Sequence, residues 1–238
     1  SGVRLIVPDR PGFGASDPAP ERGFADWSAD LVALLDHLAL QTVPVLGLSG
    51  GGPHALAVAA TVPDRVARVA VVAGPSAWCE GFLKGTWFPI RLAYLMARWA
   101  PRWLLKGLQK AMNNAERNMT YADRMPAPDA AVLREVDGLK ARIVASVTEA
   151  HRRGFDGAVT EWRLYTRPWG FSLADIRAPV SLWYGTGDGM APPAMGERLA
   201  AQLPHATLNI VPDEAHISLI VRHAARIVND LVAGMDSA

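Results

Sequence analysis

The first third of the chain alternates between short apolar runs and amphipathic stretches. Residues 3–7, 42–46 and 66–73 are rich in β-branched side chains and predict three buried strands. Between the first two runs, four leucines recur at the spacing of a helix with one apolar face: Leu31, Leu34, Leu35 and Leu38. A helix of small apolar residues is predicted between the second and third runs. This alternation predicts an α/β fold with a mostly parallel, doubly wound sheet.

The pattern changes over residues 78–169, where helical stretches follow one another without strands. Six of the eight tryptophans lie in this segment. The alternation of strands and helices resumes with apolar runs at 180–184 and 207–211, each followed by a predicted helix. The order therefore predicts a core formed by residues 1–77 and 170–238, interrupted by a helical cap insertion over residues 78–169.

A glycine-rich turn after the second predicted strand is the first candidate for chemistry. Residues 47–51 read Gly-Leu-Ser-Gly-Gly, which fits the G-x-S-x-G pattern of a nucleophile between a strand and a helix. Glycines are needed there because larger side chains would clash in so sharp a turn. The turn would lift the Ser49 hydroxyl above the sheet edge and direct the Gly50 N–H at an oxyanion. A dinucleotide-binding loop and an inert tight turn are the alternatives; the first lacks an acid after the next strand.

Two later loops contain the residue types that a nucleophilic serine needs. Asp188 follows the strand predicted at 180–184, and His216 follows the one at 207–211. A serine nucleophile requires a base, and the base requires an orienting carboxylate. Asp213 and Glu214 compete for the orienting role, but they precede His216 too closely to reach its far nitrogen easily. Ser49, Asp188 and His216 are therefore the predicted catalytic residues.

Four stretches together resemble the α/β-hydrolases of the capped, single-chain type. They correspond to the loop after the family's fourth strand, the nucleophile elbow, the acid loop and the histidine loop: residues 7–16, 47–52, 185–192 and 214–216. The resemblance implies Ser49 as nucleophile, His216 as general base and then acid, and Asp188 as the residue that orients His216. It also implies that no metal or organic cofactor takes part.

The chain departs from that family's pattern at its N-terminus. The family's second oxyanion N–H comes from a loop after its third strand, and nothing before Val3 supplies such a strand. We therefore expect an N-terminally truncated core, in which residues 3–7 pair directly with residues 42–46 or leave a gap. A naturally shortened hydrolase is the alternative. Loss of one oxyanion donor typically lowers kcat by roughly 10²–10³.

Aromatic and basic residues in the predicted insertion leave two questions open. Six aromatic residues of the insertion are expected to line an apolar substrate pocket, with packing inside the insertion as the alternative: Trp78, Phe82, Trp87, Phe88, Trp99 and Trp103. Basic residues recur mostly at spacings of four or seven along the same segment: Arg91, Arg98, Arg102, Lys106 and Lys110. Such a stripe is typical of an ordinary solvated helix face, or of a helix that lies on a membrane surface.

The overall composition limits the remaining choices. The 238 residues carry a net charge of +1, which gives no bulk attraction for nucleic acid or for an anionic membrane. A membrane span requires about 18 consecutive apolar residues, and the apolar runs of this chain are shorter. Cys79 is the only cysteine, which excludes an intramolecular disulfide and favours a cytoplasmic location. The oligomeric state is not indicated.

Taken together, these features predict a serine hydrolase that acts on a small apolar ester or related acyl substrate through an acyl-enzyme. The alternatives are a catalytically impaired fragment, a non-catalytic protein that binds a ligand in the same pocket, and an acyltransferase.

Overall fold

A parallel sheet organises the molecule, as seen in a computed structural model that describes residues 2–120 and 122–234. In this part of the chain the sheet has four strands in the order β1-β2-β3-β4: Val43–Leu48, Val66–Val72, Val180–Gly185 and Ala206–Val211. All three pairings are parallel. Two parallel neighbouring strands must be joined by a long crossover connection, and here helices form these connections and flank the sheet. The α/β architecture predicted from the sequence is confirmed.

Four helices accompany the strands: α1 (Asp26–His37), α2 (Gly52–Thr61), α9 (Pro193–Ala200) and α10 (His216–Val232). Helix α2 packs on β1 and β2, and residues 52–59 are all buried against them. Helix α10 contacts β1, β2 and β3, where Leu219 and Ile227 are fully buried. The main apolar core therefore lies between these helices and the central strands.

The segment between β2 and β3 is helical, as the pattern predicts. Its helices are α3 (Phe88–Trp99), α4 (Arg102–Met112), α5 (Ala115–Thr120), α6 (Ala127–Glu135), α7 (Leu139–Ala150) and α8 (Asp156–Tyr165). Helices α3, α4 and α8 share a small second core of Ala97, Leu105 and Val159. Helix α6 packs against α10 of the sheet region. The division into a core of 1–77 and 170–238 and a cap of 78–169 stays a prediction.

The strand predicted at residues 3–7 is wrong. This segment has no regular secondary structure, and the side chains of Val3, Leu5 and Val7 are exposed. Within the described residues β1 pairs only with β2, so residues 3–7 form no ladder with it. A β-branched run becomes a strand only where hydrogen bonds to a neighbour and burial stabilise it. The loop that follows is held instead through Arg10, whose guanidinium reaches Glu161 of α8.

Every helix in the described part of the chain is too short or too polar to cross a bilayer.

Candidate active site

Ser49 lies in a strained turn between β1 and α2. Its φ of +50° falls in the left-handed region, which a residue with a side chain rarely adopts. A Cβ at position 47 would lie 2.5 Å from the Gly51 carbonyl oxygen, and one at position 52 would lie 2.9 Å from Val71 Cγ1. Glycines at these two positions therefore let the chain turn sharply enough to present the serine at the sheet edge.

Ser49, His216 and Asp188 form one row of hydrogen bonds. The Ser49 Oγ lies 3.0 Å from His216 Nε2, and His216 Nδ1 lies 2.8 Å from Asp188 Oδ2. Each residue follows the carboxyl end of a strand, and the carboxyl ends of parallel strands meet at one edge of the sheet. The structure thus brings together the three residues that the sequence singles out.

The Asp188 carboxylate is buried and fully engaged. Its Oδ1 accepts hydrogen bonds from the backbone N–H groups of Met190 (2.7 Å) and Ala191 (2.9 Å), and its side chain is 0% exposed. A carboxylate can only accept from His216 Nδ1, so that nitrogen carries the proton. His216 Nε2 is then free to accept from the Ser49 hydroxyl, which is the arrangement that a general base requires.

Neighbouring negative charges affect the pKa of His216. Burial lowers the pKa of its imidazole, but the charge and hydrogen bond of Asp188 outweigh burial, and Asp129 adds to them, so the pKa is raised. Asp129 belongs to α6, is buried, and accepts hydrogen bonds from the backbone N–H groups of Ile217 (2.9 Å) and Ser218 (2.8 Å). It therefore caps helix α10, whose first residue is His216. Sequence reasoning missed Asp129, because nothing in its local pattern distinguishes it.

The competing acids do not contact His216. Glu214 points to the other side, where its carboxylate lies 3.3 Å from His223 Nε2 and 3.5 Å from an Arg222 nitrogen. Asp213 is exposed, in a turn with φ +57°. The geometry therefore favours Asp188 as the partner of His216.

A buried ionic cluster lies beside the nucleophile turn. Arg10 forms a bidentate ion pair with Glu161 of α8, at 2.5 and 3.0 Å. Arg22 also donates to the Glu161 carboxylate, at 3.1 Å. Burial alone would raise the pKa of Glu161, but the charges of Arg10 and Arg22 lower it to about 2. The three residues lie up to 151 positions apart, so no local pattern indicates the cluster.

This cluster fixes the carbonyl of Gly50 through two side chains. His54 Nδ1 lies 3.1 Å from that oxygen, and the single proton of the Tyr165 hydroxyl is shared between it, at 3.2 Å, and Glu161 Oε2, at 2.9 Å. Arg22 lies 3.1 Å from His54 Nε2 and can only donate, so His54 carries its proton on Nδ1 and donates to Gly50. Burial lowers the pKa of His54 to about 4. The charge of Glu161 opposes this shift, and the two arginine charges act in the same direction as burial. His54 is therefore neutral, and it positions the turn.

A cavity of about 500 Å³ opens above Ser49, Gly50 and His216. Its apolar wall comes from several segments: Phe13, Ile90, Tyr94, Ala158, Trp162, Tyr165 and Met190. Polar atoms reach it from Arg10, Gln109, Asn113, Ser146, His151 and Glu161. Another hollow, of about 580 Å³, lies toward the opposite ends of the strands between Arg68 and Arg226 and contains none of the three candidate residues.

The expectation that six aromatic residues of the insertion line the pocket needs correction, because none of them borders this cavity: Trp78, Phe82, Trp87, Phe88, Trp99 and Trp103. Phe82 is 1% exposed, packed between Trp78 and Tyr94, whereas Phe88 is 75% exposed on the outside of α3. The Trp87 ring packs on Gly189, and the Trp87 backbone N–H donates to the Gly189 carbonyl at 2.8 Å, so Trp87 braces the loop that contains Asp188. The cavity-facing residues of α3 are Ile90 and Tyr94.

Within residues 2–120 and 122–234, no group of three or more His, Cys, Asp or Glu side chains is arranged to hold a metal ion.

Comparison with known proteins assigns the chain to a family. A model of the alpha/beta hydrolase fold family matches residues 1–222. The chain therefore belongs to the α/β-hydrolase family, and it is a hydrolase.

The names of individual similar proteins refer to different substrates. A 2-hydroxy-6-oxononadienedioate/2-hydroxy-6-oxononatrienedioate hydrolase of Cupriavidus pinatubonensis is 28% identical over 88% of this chain and 68% of its own length. A putative carbamate hydrolase of Caulobacter sp. is 29% identical over 91% of this chain and 75% of its own. Among solved structures, the enol-lactonase of Burkholderia xenovorans has a TM-score of 0.65 at 24% identity, covering 93% of this chain and 77% of that one. This last likeness shows the fold alone.

Proposed function

We propose that the chain is a serine hydrolase in which Ser49 is the nucleophile, His216 the general base and acid, and Asp188 the residue that orients His216. The observation that carries the proposal is the continuous row from Ser49 Oγ through the two imidazole nitrogens to the Asp188 carboxylate, at 3.0 and 2.8 Å. Such a row lets one proton leave the hydroxyl as the oxygen attacks a carbonyl carbon.

The proposed reaction has two halves. In the first, Ser49 attacks the substrate carbonyl, its proton passes to His216 Nε2, and the tetrahedral intermediate collapses as His216 protonates the leaving alcohol. In the second, water attacks the acyl-enzyme and gives a proton to His216, and His216 passes that proton to Ser49 Oγ as the acyl–oxygen bond breaks and the acid is released. The Gly50 N–H is the proposed oxyanion donor, and the bonds from His54 and Tyr165 to the Gly50 carbonyl hold that residue in place.

The proposed substrate is a small apolar ester or a related acyl compound. A cavity of about 500 Å³ with a mainly aromatic and aliphatic wall suits a small acyl group better than a long chain. Names of similar proteins, a carbamate hydrolase and an enol-lactonase among them, indicate that this fold serves several acyl substrates. The single cysteine favours the cytoplasm as the compartment.

Turnover of p-nitrophenyl esters of graded chain length tests the proposal. The short esters are expected to react fastest. Ser49→Ala is expected to lose about 10⁶-fold in kcat, and Asp188→Asn about 10⁴-fold because His216 would lose its orienting charge. Ser172→Ala, a serine on the surface outside the cavity, is the matched control and should keep wild-type turnover.

Three results would contradict the proposal. Wild-type turnover in Ser49→Ala would exclude this nucleophile. A folded wild type that binds esters without cleaving any of them would be a non-catalytic binding protein. Transfer of the acyl group to added alcohol in preference to water would identify an acyltransferase.

A further inference from the structure

Helices α3 and α4 together expose a set of large apolar side chains. We call it the tryptophan face, and it consists of Phe88, Leu92, Leu95, Trp99, Trp103 and Leu104. The first four recur at i, i+4, i+7 and i+11 and so share one side of α3. Phe88, Trp99 and Trp103 are each 74–75% exposed. Aromatic rings are seldom left in water on this scale without a function.

Positive charge surrounds this face. Residues 81–114 contain six lysines and arginines and no aspartate or glutamate, and one of the six, Lys106, is paired with Asp156 of α8 at 2.6 Å. At the turn between the two helices, Arg102 lies near Arg163 and Arg167 from the end of α8. Burial lowers the pKa of Arg163, and the charges of Arg167 and Arg102 lower it further. Among the described residues none of these three arginines pairs with a carboxylate. Arg102 donates to the Thr160 hydroxyl at 3.3 Å and Arg163 to the Ala100 carbonyl at 2.6 Å, and both of these acceptors are neutral.

The same two helices form a wall of the cavity. Ile90 and Tyr94 on the inner side of α3, and Gln109 and Asn113 at the end of α4, border the space above Ser49. Tyr94 is 5% exposed, whereas Leu95, the next residue, is 38% exposed on the outer side. One helix pair thus separates the candidate active site from the tryptophan face.

We propose that the tryptophan face docks on the surface of an anionic lipid bilayer. Tryptophan and phenylalanine favour the boundary between lipid and water, and flanking basic residues attract anionic headgroups. The charge argues against a second copy of this chain as the occupant, since a two-fold contact through this face would oppose like charges. An apolar ester dissolved in the lipid would then meet the enzyme at the helices that wall the cavity.

Co-sedimentation of the full chain with lipid vesicles tests this docking. Vesicles of phosphatidylcholine with about 30% phosphatidylglycerol are expected to bind at least about tenfold more tightly than phosphatidylcholine alone. Salt raised to about 0.5 M should weaken the binding by screening. The Ser49→Ala variant should bind like the wild type, so docking is tested independently of the proposed catalysis.

Variants locate the contact. Trp99→Ser with Trp103→Ser is expected to lower affinity for the anionic vesicles at least about tenfold, because both rings are mostly exposed and their replacement leaves the core intact. Arg102→Glu should do the same through charge. The matched control is Leu5→Ser with Val7→Ser, two exposed apolar residues outside the face, and it should bind like the wild type.

Three results would overturn the docking proposal. They are the absence of binding to anionic vesicles, equal binding of the tryptophan double variant, and self-association of the wild type that the double variant abolishes without any vesicle binding. The last result would assign the face to a contact between copies.

Discussion

Acidification from about pH 7 to about pH 5 is expected to destabilise the fold through His54. This imidazole is 2% exposed, donates to the Gly50 carbonyl and accepts from Arg22. Burial lowers its pKa from 6.5 to about 4; the charge of Glu161, 3.5 Å from Nε2, acts against burial, and the charges of Arg10 and Arg22 act with it. The unfolded chain therefore takes up a proton at a pH where the folded chain does not. Stability from this source is complete above pH 6.5 and is lost as the pH falls toward 4.

The size of the effect follows from the two pKa values. Each pH unit between them corresponds to about 1.4 kcal/mol, so the full loss is about 3 kcal/mol, of which about 2 kcal/mol is lost by about pH 5. Because a typical domain is stable by only about 5–15 kcal/mol, this fraction is large enough to measure.

Urea unfolding at a series of pH values tests the assignment. His54→Asn keeps an amide donor for the Gly50 carbonyl but does not titrate, so its free energy of unfolding should fall about 2 kcal/mol less than the wild type's from about pH 7 to about pH 5. His37→Asn, at an exposed helix position, is the matched control and should follow the wild type. Parallel curves for wild type and His54→Asn would refute the reasoning.

Two further predictions concern residues around the catalytic row. Asp129→Ala should cost about 1–3 kcal/mol by leaving the first N–H groups of α10 unpaired, whereas Asp129→Asn should recover most of that stability in urea unfolding. With its charge removed, Asp129→Asn should also lower the pKa of His216 and move the acid limb of the pH–rate profile to lower pH; an unmoved limb would contradict the role given to this charge. Gly50→Ala would place a Cβ 2.1 Å from the Tyr165 hydroxyl oxygen, so thermal unfolding should show a large loss that added Tyr165→Phe partly restores. No recovery in the double variant would show that the clash lies elsewhere.

Strand ends were the most predictable part of the molecule. Apolar runs located β1 to β4 within a few residues, and a parallel sheet necessarily gathers the loops after its strands at one edge. The sequence alone therefore groups Ser49, Asp188 and His216 at one edge of the sheet. Their catalytic roles are a proposal. Residues 3–7 have the same apolar character, but a strand also needs a neighbour, and the pattern of one segment contains no information about pairing.

Contacts between distant segments were not predictable. Arg10 and Glu161 meet across 151 positions, and Asp129 caps a helix nearly ninety residues further along the chain. The aromatic residues of α3 show the same limit on a smaller scale. Periodicity finds two faces on that helix, but it does not say that Tyr94 faces the cavity while Phe88 faces water.

The central claim is that Ser49 is an activated nucleophile, and covalent labelling of the chain with a fluorophosphonate tests it without knowledge of the substrate. Peptide mass spectrometry is expected to find the phosphonyl group on Ser49 in the wild type, and His216→Ala should abolish it because the hydroxyl would lose its base. A folded protein that is not labelled, or one labelled at Ser49 equally well without His216, would contradict the account.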